Sequence, residues 1–264
     1  MGGSDRGGDG CPTSSPHFSA VNAVQPYLAL SGNARVATAE FEALADWFGF
    51  EPWPTRPLPA DRPGLVLAAG GPRLHVPGLP PTAWHPGFTP WRLSHGADDA
   101  LVRATAAGPG RCIVDATLGL GHDALILRAA GAHVVGIECR PALAYLTWSG
   151  HASRPVGPPL ALRLGDFRDG LAAMPADSAD VVCFDPMFPV EATGPNATWA
   201  PVRSAACHDR LDEAGFAAAR RVARDRIVLK LAPGEPPPTL GGVTPLLVQS
   251  RRARFALYPT REST

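Results

Sequence analysis

The sequence predicts an α/β chain. A mostly parallel sheet, covered on both faces and ending in an antiparallel hairpin, stands behind a small α+β lobe. Three observations predict it. From Gly96 onward, short apolar runs alternate with helical patterns, the grammar of a parallel sheet. The last two runs, TPLLVQS and RARFALYP, are joined too tightly to hold a helix between them, so they pair antiparallel. Before Gly96 the order is one helix, a Pro-rich connector and two apolar runs separated by Gly70, Gly71 and Pro72, a hairpin pattern.

Residues 1–25 are rich in Gly, Ser, Asp and Pro with little periodicity and are expected to be a disordered tail. The lobe is expected over 26–95. It opens with the apolar run Tyr27–Leu30, followed by a helix over Ala39–Phe48. Its apolar positions Phe41, Leu44, Ala45, Trp47 and Phe48 fall on helical spacing, and Gly49 ends it. The connector EPWPTRPLPADRP leads to the hairpin of Leu65–Ala69 and Leu74–Val76. The main domain is expected over 96–264. RCIVDAT (111–117) reads as a strand, followed by the helix HDALILRAA. HVVGIE (133–138) precedes the helix PALAYLTWS, and LALRLGD (160–166) precedes a short helix. ADVVCFD (179–185) runs into a long loop; LDEAGFAAARRVA (211–223) is a helix and RIVLKL (226–231) a strand before the hairpin.

Composition narrows the function. The 264 residues carry 24 basic and 24 acidic side chains, so no strongly basic surface draws nucleic acid to the whole molecule. Only one of the 24 basic residues is lysine, Lys230; the others are arginine, a bias that reads as coding composition. The five cysteines are dispersed, with no CxxC and no Cys/His pair at ligand spacing. That argues against a disulfide framework and against a metal site. No apolar run is long enough for a bilayer, and the first residues lack signal-peptide regions, so a cytoplasmic protein is expected.

The chemistry-bearing residues sit where strands end. In an open parallel sheet, ligands bind beyond the carboxyl ends of the strands. The first strand ends VDATLGLGHDA. Asp115 stands where a carboxylate meets a cationic group, and Gly119 and Gly121 allow a tight turn and close approach to a ligand. Glu138 ends the second strand 23 residues later, where an acid accepts both ribose hydroxyls. Asp166, ending the third, suits an exocyclic amine of adenine, with Phe167 to cover the ring. Gly119–Ala124 also fits GxGxxA, the dinucleotide fingerprint, and a glycine turn serving packing alone is an equal reading of that stretch. Three successive acidic strand ends suit S-adenosylmethionine, with its amine and sulfonium, better than the pyrophosphate of NAD.

The fourth strand ends Asp185–Pro186–Met187–Phe188–Pro189. This has the form of the (D/N)-P-P-(Y/F) signature of enzymes that methylate exocyclic amines of bases. A conjugated NH₂ is a poor nucleophile, because its lone pair is delocalised. A carboxylate and a backbone carbonyl accepting its two hydrogens draw the nitrogen toward tetrahedral geometry. Pro186 and Met187 supply a rigid turn for that carbonyl, and Phe188 a face on which a flipped base stacks. An ordinary strand-to-loop break with a core Phe is the structural alternative.

VDATLGLGHDA, GIECRP, FDPMFP and RIVLKLAPGEPPP together resemble the small-subunit ribosomal RNA methyltransferase J family over roughly residues 40–260, with DPMFP matched letter for letter. The resemblance implies a Rossmann-like class I methyltransferase fold, S-adenosyl-L-methionine as cofactor, and methyl transfer to guanine N2 in 16S rRNA or the small ribosomal subunit. By position in the motifs it places cofactor contacts on His122, Asp123, Glu138, Cys139, Asp166, Phe167 and Asp185. His122 and Cys139 stand where the family has arginine, and the loop after DPMFP is poor in basic residues. RNA contacts are therefore expected to be local, through Arg92, Arg103, Arg203 and the cluster at Arg251. Two other readings stay open: a small-molecule or peptide methyltransferase, and a binding module without turnover. Lys230, in RIVLKL, is either at the active end of its strand or a snorkelling strand-end lysine. Trp84 and Trp91, with His85 and His95, form either an entrance for a base or, more simply, packing of a Pro-rich segment.

Overall fold

A computed structural model describes residues 25–32, 34, 36–53, 57–87, 89–187, 199–208, 210–251 and 253–260. The expected tail therefore lies, up to residue 24, outside the described residues. Two sheets organise the rest. The first contains β1 (Tyr27–Leu30), β2 (Glu51–Trp53), β3 (Gly64–Ala68), β4 (Gly71–His75) and β5 (Thr82–Ala83), in the order β2-β1-β3-β4-β5. β1 runs parallel to β2 and β3, while β3, β4 and β5 are antiparallel. Helix α1 (Thr38–Phe48) ends at Gly49, whose φ of 69° is the left-handed conformation that its lack of a Cβ permits.

The connector expected over the Pro-rich stretch contains a strand that composition concealed. β2 includes Pro52, which cannot donate to a ladder, and it occupies the sheet edge, where that donor is not needed. A second departure lies between the sheets. α2 (Thr89–Leu93), a 3-10 turn at Gly96–Asp98 and α3 (Ala100–Thr105) fill a stretch where no helix was read. Asp99 caps α3 by accepting the Leu101 amide at 2.9 Å.

The second sheet holds β6 (Cys112–Asp115), β7 (His133–Glu138), β8 (Leu160–Leu164), β9 (Ala179–Phe184), β10 (Ala223–Leu231), β11 (Leu246–Gln249) and β12 (Arg254–Pro259). Their order is β11-β12-β10-β9-β6-β7-β8, parallel except for the expected terminal hairpin. Between them run α4 (His122–Ala129), α5 (Pro141–Ala152), α6 (Phe167–Ala172), α7 (Ala200–Ala205) and α8 (Glu213–Val222). The chain leaves β6 toward β7 and β8, then returns to place β9 on the other side of β6. Strand order thus reverses at β6/β9, the point where an open sheet leaves a crevice for a ligand.

Alternation assigns the two faces. Ile113, Val181 and Val228 enter one core with α4 and α5; Val114, Val182, Ile227 and Leu229 enter the other with α6 and α8. Each central strand is apolar on both sides, as a doubly covered sheet requires. α5 is buried almost all round, because it lies between this sheet and β4 of the first. Phe48 of α1 meets Tyr145 of α5 edge-on at 5.1 Å, so one hydrophobic core joins the two sheets.

Candidate active site

The carboxyl ends of β6, β7, β8, β9 and β10 open into one cavity of about 1090 Å³. Asp115, Gly119, Gly121, His122 and Asp123 line it from the first strand and its loop. Glu138, Cys139, Asp166 and Phe167 line it from the second and third. Asp185, Pro186 and Met187 line it from the fourth. Every expected site residue is thus on one wall or another, except Phe188, which lies outside the described residues.

The glycine loop is held by its own polar groups. Gly119 and Gly121 have φ of 52° and 68°, and the loop carbonyls point at fixed donors. The Thr147 hydroxyl donates to Gly119 O at 2.6 Å, and Trp84 Nε1–H to Leu120 O at 2.8 Å. His151 Nε2 lies 2.9 Å from Gly121 O, while its Nδ1 faces Arg128 at 2.7 Å. Arginine only donates, so Nδ1 accepts and Nε2 carries the proton, which fixes a neutral tautomer. Burial and the Arg128 charge push the His151 pKa down to about 4. Trp84 is therefore packing, the simpler of its two readings. Trp91, 46 % exposed, meets His95 at 4.2 Å, ring tilted against ring, on the cavity wall.

Glu138 accepts the amides of Gly119 and Arg140, each at 2.8 Å. Burial still raises its pKa above the ordinary value, against those donors. Asp166 caps α6 by accepting the Arg168 amide at 2.7 Å, and Phe167 packs edge-on against Phe184 at 5.4 Å. His122 lines the cavity with its ring already engaged. Its Nε2 lies 2.7 Å from His85 O, and its ring meets Trp84 and Trp199.

The expectation against disulfides is overturned at Cys139. Its sulfur is bonded to that of Cys207, 68 residues away. Cys207 follows α7, a helix inside the stretch expected to be a long loop. No short spacing betrays the pair, because the sheet brings the end of β7 and the segment after α7 to the same cavity rim. Among the described residues no group of three or more His, Cys, Asp or Glu is placed to hold a metal ion.

A charge network fills the inner wall. Strand alternation turns Asp115, Asp185 and Lys230 to the same face of the sheet, the face on which α4 brings Asp123. Lys230 pairs with Asp185 and reaches Asp123 at 3.5 Å. Asp123 also pairs with Arg92, which holds Asp99 at 2.9 and 3.0 Å. Burial alone raises a carboxyl, but the Lys230 and Arg92 cations outweigh it at Asp123 and hold that group well below the usual range. At Asp115 the opposing pulls, from the Thr117 amide and the Lys230 charge, are weaker. Burial, with the nearby Asp123 charge adding, pushes its pKa up to about 8. Arg92, expected at an RNA surface, is instead committed to these two acids.

Comparison with known proteins decides the family. The family described as "Putative SAM-dependent methyltransferase" matches residues 90–260. The ribosomal RNA small subunit methyltransferase J of Alkalilimnicola ehrlichii is 34 % identical over 218 residues, covering 75 % of this chain and 80 % of that protein. This chain is a methyltransferase of that family. The Dechloromonas aromatica protein of the same name is 30 % identical over 211 residues, covering 75 % of this chain and 85 % of that one. A solved SAM-dependent methyltransferase from Neisseria gonorrhoeae shares the fold, with a TM-score of 0.63 at 20 % identity over 90 % of this chain and 97 % of that one.

The methyltransferase uses S-adenosylmethionine, and the site's charge suits that molecule. Asp115 is 3 % exposed and accepts the Thr117 amide at 3.3 Å. Among the described residues no cation lies within ion-pair distance of it. A buried acid in that state complements a cofactor that brings an ammonium and a sulfonium. A pyrophosphate would bring negative charge to a wall whose cations, Lys230 and Arg92, are already paired with Asp123, Asp185 and Asp99.

Proposed function

We propose that this methyltransferase transfers a methyl group from S-adenosylmethionine to the exocyclic N2 of a guanine in 16S rRNA of the small ribosomal subunit, in the cytoplasm. The observation that carries this reading is Asp185. It stands beyond β9 at the strand-order reversal, on the cavity wall with Pro186 and Met187. Relatives that cover three quarters of the chain are named as ribosomal RNA small subunit methyltransferases J. The methyltransferase unit is assigned to 96–264, with 26–95 as a lobe packed behind it through α5.

In this reading Asp115 meets the cationic methionine end of the cofactor, and Gly119 and Gly121 let the loop backbone approach it. Glu138 accepts the ribose hydroxyls, and Asp166 with Phe167 holds the adenine. His122, Asp123 and Cys139 shape the wall around them, their polar atoms being engaged within the protein. When bound, the cofactor supplies a methyl group made electrophilic by its sulfonium. Asp185 and a carbonyl of the Pro186–Met187 turn accept the two N–H groups of the amine and aim the nitrogen at that methyl. Phe188 offers a stacking face to the flipped base. Transfer to that nitrogen would leave the C–S electron pair on the cofactor's sulfur, and the amine would shed one proton. The protein's part is positioning and electrostatic preorganisation.

The deciding experiment is nucleoside analysis of 16S rRNA from cells with and without the gene. Loss of one N2-methylguanosine, restored by the purified enzyme, is the expected result. An unchanged rRNA profile, with transfer of label only to small molecules or peptides, refutes the rRNA substrate.

A further inference from the structure

We propose that Lys230 is the positioning residue of the transfer: its ammonium group holds the Asp185 carboxylate ionised and oriented as the acceptor for the substrate amine. The proposal rests on the reading of Asp185 given above and adds the group that acts through it.

Composition is the first argument. Basic positions in this chain are filled by arginine 23 times and by lysine once. The single lysine lies on the cavity wall, bonded to the aspartate of DPMF. A strand-end cation free to snorkel into water would be as well served by arginine, which this sequence uses everywhere else. Between two carboxylates, a compact ammonium with three rotatable donors fits where a planar fork does not.

Geometry is the second. Leu229 of β10 pairs in register with Phe184 of β9, which brings Lys230 level with Asp185 across the sheet. Leu229 and Phe184 go to one core, so Lys230 and Asp185 go together to the other face. There Lys230 bridges Asp185 and Asp123, and Arg92 secures Asp123 from α2. Asp123 thus contacts the lysine from α4, at 3.5 Å, and is itself tied to Arg92.

The electrostatic need is the third. The charged groups around Asp185 are Asp115 on β6, Asp123 on α4, Arg92 on α2 and Lys230 on β10, with His122 and the buried Cys183 thiol nearby. Burial raises the Asp185 carboxyl and Asp123 adds to that, while Lys230 is the first of the forces opposing it. A protonated carboxyl offers its hydroxyl as a donor and is a weaker acceptor, so without Lys230 the amine loses part of its hold at neutral pH.

The chain's one lysine gives a test that needs no substrate. Protein labelled with [ε-¹³C]lysine has a single lysine resonance. In wild type it should stay in the ammonium position well above the ordinary lysine pKa of about 10.4. Asp185→Asn should pull its titration down by about one unit or more. A resonance that titrates like a free lysine, or ignores Asp185→Asn, overturns the proposal. The functional arm is the pH profile of single-turnover methylation. Lys230→Met should bind the cofactor, lose ~10–100-fold in rate near neutrality, and shift its acid limb upward by about one to three units. Lys230→Arg, which keeps the cation but not the compact fit, should bring the limb only partly back toward wild type. A Lys230→Met enzyme with an unmoved limb overturns the proposal. If wild type methylates no rRNA, the proposed substrate fails, and the lysine titration alone decides for or against the pairing.

Discussion

The Glu138 carboxylate accepts the Gly119 amide at 2.8 Å, tying the end of the second parallel strand to the loop that follows the first. The assigned ribose acceptor and the assigned cofactor loop are one hydrogen-bonded unit. Glu138→Ala should therefore loosen both, weakening S-adenosylhomocysteine binding by about 1–3 kcal/mol. Glu138→Gln, which keeps an acceptor for the amide, should lose less. Calorimetry checks this, and NAD binding as tightly as S-adenosylhomocysteine would contradict the charge argument at Asp115.

Asp185→Ala removes the proposed acceptor of the amine and should cut turnover by ~10²–10³ at saturating cofactor. Single-turnover methylation reads it directly. A near wild-type rate would mean that the amine is held elsewhere and the strand end is structural.

The alternation of strands and helices was legible because each central strand is apolar on both faces and each βα unit has its own glycine or proline punctuation. The acidic strand ends were legible for the same reason, since a charge that closes an apolar run has nowhere to go but the carboxyl edge. What stayed hidden depends on distance along the chain. Arg92 reads as an RNA contact and Asp123 as a cofactor contact, and nothing joins the two with Asp99 until α2 is laid on α4. Cys139 and Cys207 sit 68 residues apart with no motif between them. The alternation of β10 could have settled Lys230, because Leu229 faces a core and Lys230 must then face Asp185.

Gly121→Ala should be much more damaging than Gly49→Ala. Both glycines have positive φ, 68° and 69°, so both variants carry the left-handed penalty of about 1–2 kcal/mol. Only at Gly121 does a Cβ also collide, 2.5 Å from His151 Nε2 and 2.7 Å from Thr147 Cγ2, while nothing lies within 4 Å at Gly49. Thermal unfolding of the two variants isolates the collision. Equal losses would show that the loop yields at no cost.

RNA binding should depend weakly on salt. With Arg92 spent on Asp99 and Asp123, the arginines named from sequence reduce to Arg103, Arg203 and the Arg251 cluster. About three to four neutralised phosphates give a slope of log K against log salt of roughly −2 to −4. Filter binding between low and moderate salt measures it. A steeper slope would require a basic surface among other residues.

Cofactor binding should release protons, and Asp115 sets the sign. Its pKa is pushed from 3.8 to about 8 by burial, so the folded protein holds a proton there that the unfolded chain has lost. That difference stabilises the fold fully below the unfolded value and is lost as pH rises toward 8. His151, lowered from 6.5 to about 4, works oppositely: its contribution is present above 6.5 and lost as pH falls toward 4. The two trends offset each other between pH 4 and 6.5, and stability should fall from 6.5 to 8. A cationic cofactor beside Asp115 reverses the burial penalty and pulls the carboxyl down. Near pH 6.5, binding should then release up to about one proton and tighten as pH rises toward 8. Calorimetry in two buffers of different ionisation enthalpy counts the protons. Asp115→Asn should abolish the release and weaken binding together; release that survives the substitution would place the titrating group elsewhere in the network.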